Sequence, residues 1–75
     1  MTPRQLERTF RRNTVYARRQ FKKLKGKRLH SGLIVDSFFI RAAAVMTGFN
    51  CMRLARECNA HVTFRFEVKG GEDDD

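Results

Sequence analysis

Residues 2–26 have the sequence TPRQLERTFRRNTVYARRQFKKLKG, which predicts a long amphipathic helix. Thr2 can act as the N-cap, Pro3 fits the first helical position, and Gln5 can reach back to the cap in a capping box. Gly26 is the first glycine of the chain and can end the helix in a left-handed conformation. Residues spaced three and four apart form an apolar stripe about 80° wide on one side of this helix. The stripe consists of Leu6, Phe10, Thr14, Ala17, Phe21 and Leu24.

The opposite side of the predicted helix is densely basic. Its Arg and Lys side chains share an arc of about 160°, and Glu7 is the only acidic residue among the first 30. Like charges one helical turn apart repel each other, so we expect an anionic partner to compensate them. The residues predicted to contact phosphates are Arg8, Arg11, Arg12, Arg18, Arg19, Lys22, Lys23 and Lys25, with Lys27 and Arg28 extending the charge past the helix end.

Three kinds of anionic partner suit such a face: a nucleic acid, an acidic protein surface or an anionic membrane. A membrane is disfavoured, because the apolar stripe is narrow and contains no Trp. The remaining alternative is an ordinary solvated face. Solvated helices, however, usually alternate Glu with Lys at i,i+4 spacing, and this helix does not.

The length and charge distribution predict one small domain. The chain has 75 residues with 16 Lys plus Arg and 8 Asp plus Glu, a formal net charge of +8. We expect a single domain over residues 1–69, with a basic amphipathic helix in 1–28 and apolar helices and a strand in 29–69. Residues 70–75 carry four acidic side chains and are predicted to be a flexible acidic tail.

The middle of the chain predicts a buried helix. Asp36 can cap a helix over residues 37–47 that ends before Gly48 and is apolar on nearly every side. A chain this short cannot cover such a helix alone, so we expect a homodimer. Its predicted interface consists of Phe38, Phe39, Ala42 and Val45. Residues 29–35 fit either a short strand or a loop.

The last third predicts a short helix followed by a strand. Asn50 can cap a helix over residues 51–58, and Asn59 can end it in a left-handed turn. Residues 61–69 alternate apolar and polar side chains, which is typical of a half-buried strand that pairs with residues 29–35 or with a second subunit. Its predicted buried face is Val62, Phe64, Phe66 and Val68. The fold class expected is therefore mainly α with a short C-terminal β-strand.

A helix-turn-helix offers a looser alternative for residues 40–59. Ala44 would be the small residue of the first helix, Gly48 would open the turn, and Leu54 would pack from the second helix. Arg53 and Arg56 would then face the major groove, and both are included among the predicted nucleic-acid contacts.

The sequence predicts no enzyme and no cofactor. Cys51, Cys58 and His61 do not have a common zinc-ligand spacing, and the two cysteines are interpreted as buried structural residues. The carboxylates Glu7, Asp36, Glu57 and Glu67 are scattered, so no catalytic or metal site is expected. The charged start and the most apolar stretch, which is interrupted and short, predict neither a signal segment nor a membrane span, and hence a cytoplasmic, reducing location.

Two functions fit these patterns. The first is a nucleic-acid-binding protein in a regulatory or accessory role, which contacts phosphates through its basic helix. The alternative is a small phage- or virus-type interaction protein that inhibits or redirects a host enzyme by docking on its acidic surface.

Overall fold

The computed structural model describes residues 1–65 and contains two α-helices, α1 (Pro3–Lys22) and α2 (Ser37–Cys58). The helices pack together as an antiparallel hairpin: the ring of Phe10, early in α1, lies 4.7 Å from the ring of Phe49, late in α2. The prediction of a small, mainly helical domain is confirmed. The described residues form two helices, however, where the sequence predicted three.

The first helix begins as its sequence predicts. The Thr2 hydroxyl accepts a hydrogen bond from the Gln5 backbone N–H at 3.2 Å, and the Thr2 N–H donates to Gln5 Oε1 at 2.8 Å, which completes the capping box. The helix ends at Lys22, earlier than predicted. The chain then tightens into successive turns, and Gly26 takes its left-handed conformation, with φ +87°, beyond the helix.

The connection between the helices is a small hairpin. Of the two alternatives for residues 29–35, the structure has the loop, closed by one isolated bridge and without a regular strand. A single antiparallel bridge joins Arg28 to Ile34, and the Gly26 N–H donates to the Val35 carbonyl at 2.7 Å. Gly32, with φ +92°, makes the turn possible. Val35 is buried, so the hairpin fixes the position from which α2 starts.

The second helix is continuous through Gly48. Asp36 caps it as predicted, because its carboxylate accepts from the Phe39 N–H at 2.8 Å, and Asn59 ends it in the left-handed conformation. The predicted helix end at Gly48 and the predicted cap at Asn50 are wrong. The turn that a helix-turn-helix needs is absent from residues 40–59, so that alternative is wrong as well.

Small residues explain why the helix does not break at Gly48. A Cβ atom on Gly48 would overlap the Thr14 hydroxyl and lie 3.0 Å from Phe10, so α1 packs directly against the backbone of α2 at this point. The contact with α1 offsets the low helix propensity of glycine. The apolar residues buried within residues 1–65 are Ala17, Val35, Ile40, Ala44, Cys51 and Ala55.

The predicted C-terminal strand is not present in residues 61–65. The segment contacts α1, and Val62 and Phe64 are more buried than their neighbours, in agreement with the alternating pattern. The polar groups of the segment pair with a side chain instead of a strand. Asn13 Nδ2 donates to the Val62 carbonyl at 2.8 Å, and the Phe64 N–H donates to Asn13 Oδ1.

Asn13 therefore takes the place of the neighbouring strand that the alternating pattern predicts. It is fully buried, and its Nδ2 group also donates to the Thr9 carbonyl at 2.8 Å. Beside it, the Thr9 hydroxyl donates to the Gln5 carbonyl and lies 3.2 Å from His61 Nδ1. The rest of the predicted strand, with Phe66 and Val68, and the predicted acidic tail 70–75 lie outside the described residues.

We expect Asn13→Ala to destabilise the protein by about 2–3 kcal/mol, because it leaves the Val62 carbonyl and the Phe64 N–H without their partner. Chemical denaturation measures this loss, and faster hydrogen exchange at the Phe64 amide locates it. Asn50→Ala, at an exposed position of α2, is the matched control and should change stability by less than about 0.5 kcal/mol. Equal effects of the two substitutions would contradict the role assigned to Asn13.

Candidate nucleic-acid interface

The basic side of α1 is exposed to solvent. Thr9, Asn13, Thr14 and Ala17 turn towards α2 and the C-terminal segment, which leaves the other side of the helix to solvent. We use "basic face" for the exposed cations on that side. It consists of Arg4, Arg8, Arg11, Arg12, Arg18, Arg19 and Lys22.

Four further predicted contacts follow the helix. Lys23 is the C-cap of α1, and Lys25 lies in the turn that follows it, and both side chains are exposed. Arg28 forms the bridge to Ile34 in the connecting hairpin, and Lys27 precedes it. The cations after α1 therefore extend the positive charge along the connection that leads to the start of α2.

Carboxylates hardly neutralise the basic face. Glu7 forms an ion pair with Arg11 at 3.0 Å, and both side chains are largely exposed, so the pair contributes little to stability. Within residues 1–65, neither Arg8 nor Arg12 has a carboxylate partner, and the first turn of α1 contains no acidic residue. The face therefore presents a nearly uniform positive potential, which attracts polyanions.

An apolar side chain lies in the middle of the basic face. Val15 is 45% exposed and borders a shallow depression of about 440 Å³ together with Tyr16 and Arg19. The Tyr16 ring is half-buried, with its centroid 6.2 Å from that of Phe64. Tyr16 thus packs against the C-terminal segment.

Arg53 and Arg56 lie apart from the basic face. Both are exposed in the last two turns of α2, and Arg53 is about 200° around the helix from the buried residues Cys51 and Ala55. Arg53 therefore points away from α1. Arg56 borders an apolar groove near the start of α1 that also includes Leu6. The structure does not bring these two arginines together with the cations of α1.

Arg41 is a candidate contact that the sequence analysis missed. Arg41 lies within the most apolar stretch of the sequence, residues 33–46, and the sequence analysis interpreted it only as an interruption of that stretch. In the structure it lies one turn after Ser37, next to the buried Ile40, and borders a groove together with Arg18 and Lys22. The i,i+4 spacing of Ser37 and Arg41 was visible in the sequence, but the packing of α1 beside them was not.

The two cysteines have different environments. Cys51 is buried as predicted, and burial raises the pKa of its thiol. Cys58 is exposed, so the prediction that both are buried is wrong for this residue. The described residues contain no group of three His, Cys, Asp or Glu side chains close enough to hold a metal ion.

The predicted dimer residues lie on the outer side of α2. Phe38 and Ala42 are exposed, and Phe39 and Val45 are half-buried. Phe38 is 78% exposed and Met46 65%, so this side of α2 is apolar and faces solvent in the single chain. We call these four residues together with Met46 the outer apolar face.

No protein-family model, curated protein or solved structure matches the chain. Neither α1 nor α2 has the length and apolar character needed to cross a membrane.

Proposed function

We propose that this protein binds nucleic acid through the basic face of α1, in a regulatory or accessory role and without catalysis. The observation that carries the proposal is the charge of one sign along that face. Cations such as Arg8 and Arg12 stand one turn apart with no carboxylate partner among residues 1–65. Phosphates relieve their repulsion and release condensed counterions as they bind, which makes a polyanion a favourable partner.

The proposed contacts position the protein on its ligand and do not select a sequence. Arg and Lys along a helix of this kind pair with phosphates, which are identical at every nucleotide. Tyr16, the aromatic residue beside the basic face, packs against Phe64 and is only half exposed. A stacking platform of exposed rings is therefore not part of the proposal, and we expect affinity to depend weakly on base sequence.

A salt titration tests this function. The probes are a labelled random-sequence DNA duplex, single-stranded DNA and single-stranded RNA, with polyglutamate of similar charge as the matched protein-like polyanion. If about seven cations contact phosphates, the slope of log K against log[salt] for the duplex should be about −6. An absence of binding at low salt would contradict the proposal. Equal affinity for polyglutamate would favour the alternative, docking on an acidic protein surface.

We also propose that a second copy of the chain covers the outer apolar face. A two-fold axis places the same surface on both subunits, so an apolar face meets an apolar face. Exposed apolar side chains as large as Phe38 and Met46, two turns apart on the same side of α2, support an interface at this position.

The substitution Phe38→Asp tests the proposed homodimer. Light scattering at micromolar concentration should give twice the 8.8 kDa mass of one chain for the wild type and the mass of one chain for the variant, because a carboxylate cannot be buried unpaired. Phe38 is the most exposed large apolar side chain of the face, so the variant should stay folded. Leu33→Asp, at an exposed apolar position of the connecting hairpin, should remain dimeric. A monomeric wild type would contradict the dimer.

A further inference from the structure

A groove of about 250 Å³ lies between the last turns of α1 and the first turns of α2. It is formed only because the hairpin brings together two parts of the chain that are some 20 residues apart. Its lining residues are Arg18, Lys22, Lys25, Ser37, Ile40 and Arg41. The groove therefore combines four cations and one hydroxyl around a single apolar residue.

The charges of this groove are uncompensated. None of its four cations has a carboxylate partner within residues 1–65. Asp36 is the nearest acidic residue in the sequence, and its carboxylate accepts a hydrogen bond from the Phe39 N–H at the start of α2. Ile40 is buried and forms the floor, while the cations around it are exposed. The groove thus presents donors from both helices to a small anion.

We propose that this groove holds one phosphate group of the bound nucleic acid, with Arg41 of α2 completing the set of cations from α1. The statement that this phosphate belongs to a nucleic acid rests on the proposed function. A phosphate has several acceptor oxygens, which can bind two guanidinium groups, an ammonium group and the Ser37 hydroxyl at once. Arginine suits this position because its planar group can donate two parallel hydrogen bonds to one phosphate.

The groove makes part of the nucleic-acid contact depend on the packing of the two helices. The cations from Arg4 to Arg19 belong to a single helix and would be present on an isolated peptide. Arg41 and Ser37 join Arg18 and Lys22 only when α2 is packed against α1. Binding at the groove therefore depends on the folded hairpin, and the ligand must follow the basic face around to the start of α2.

Arg41→Gln tests the groove, and Arg53→Gln is the matched control on the same helix, pointing away from α1. Duplex affinity is measured over a range of salt concentrations. We expect Arg41→Gln to lower affinity about tenfold at 0.1 M salt, as an order of magnitude, and to reduce the salt slope by about 0.9, the value of one phosphate contact. Arg53→Gln should leave both quantities close to those of the wild type. Circular dichroism checks that both variants remain helical.

A second measurement uses inorganic phosphate and pyrophosphate alone. In NMR titrations of the wild-type protein, we expect the largest amide shifts at Ser37 and its neighbours, and smaller shifts near Arg8. Arg41→Gln should remove the shifts at Ser37. This readout does not require the protein to bind nucleic acid, so it tests the groove separately from the proposed function.

The outcomes separate the two proposals. If the duplex binds and Arg41→Gln matches the wild type in affinity and slope, the groove proposal is overturned and the basic face stands. Equal losses in Arg41→Gln and Arg53→Gln would overturn it as well, because the effect would then be one of net charge. If the duplex does not bind but phosphate shifts Ser37 in an Arg41-dependent way, the groove is a phosphate site and the proposed function is wrong.

Discussion

Reversing four exposed arginines of α1 together should abolish nucleic-acid binding and leave the protein folded. The four are Arg11, Arg12, Arg18 and Arg19. Each Arg→Glu change subtracts two charges, so the four bring the formal net charge from +8 to zero. We expect affinity for a duplex to fall by at least about 100-fold at low salt, because several phosphate contacts become repulsive.

The helix should tolerate these reversals. Glu at position 18 would stand one turn before Lys22, and Glu at position 19 one turn before Lys23, the favourable orientation for an i,i+4 ion pair. The pair between Glu7 and Arg11 is lost, but it is exposed and contributes little. Two attractive pairs therefore replace two repulsive ones in the second half of the helix. Circular dichroism and thermal unfolding should show a helix at least as stable as in the wild type.

A comparison of two double variants separates position from net charge. Arg18→Glu with Arg19→Glu changes the basic face, whereas Arg53→Glu with Arg56→Glu makes the same charge change on α2. The first should weaken duplex binding much more than the second. A folded quadruple variant that binds as tightly as the wild type would show that α1 is not the binding surface.

Gly48→Val should unfold the protein. A Cβ atom at position 48 would overlap the Thr14 hydroxyl and lie 3.0 Å from both Cδ1 and the carbonyl oxygen of Phe10, so the helices must separate to admit a side chain. Overpacking of this kind costs about 1–3 kcal/mol or more, and a chain this short has a small total stability. Thermal or urea unfolding followed by circular dichroism measures the loss.

A double-mutant cycle assigns the effect to the contact with Thr14. Gly48→Ala alone should destabilise the protein by about 2 kcal/mol, even though alanine favours a helix more than glycine by about 1 kcal/mol. Thr14→Ala removes the overlapping hydroxyl, which has no hydrogen-bond partner within residues 1–65. Gly48→Ala should therefore cost less in the Thr14→Ala background. A Gly48→Ala variant more stable than the wild type would show that the helices do not approach as described.

Local signals in the sequence predicted three of the four helix ends, and the end of α1 at Lys22 is the exception. The Thr2–Gln5 capping box, the Asp36 cap and the left-handed Asn59 all depend on residues within one turn of each other, and all three are found. The division of α1 into a basic side and a buried side follows from the same short-range periodicity. Predictions of this kind succeed because the interactions involved do not depend on the rest of the fold.

The two main errors have a long-range cause. Gly48 looks like a helix terminator, but the packing of Thr14 against it, 34 positions earlier, makes glycine a requirement of the helix interior. The alternating pattern of residues 61–65 predicts pairing with a strand, yet the buried Asn13 supplies both a donor and an acceptor to that backbone. Arg41 was missed for a similar reason, because its cationic neighbours lie on the other helix.

The unpaired charges of α1 give folding and binding opposite responses to ionic strength. In the protein alone, neighbouring cations such as Arg8 and Arg12 repel across one turn, and added salt screens this repulsion and favours the folded helix. In the complex, added salt competes with counterion release and weakens the contact with phosphates. A ligand that binds the folded state also stabilises it. Nucleic acid should therefore stabilise the helix most at low salt, where the helix without a ligand is least stable.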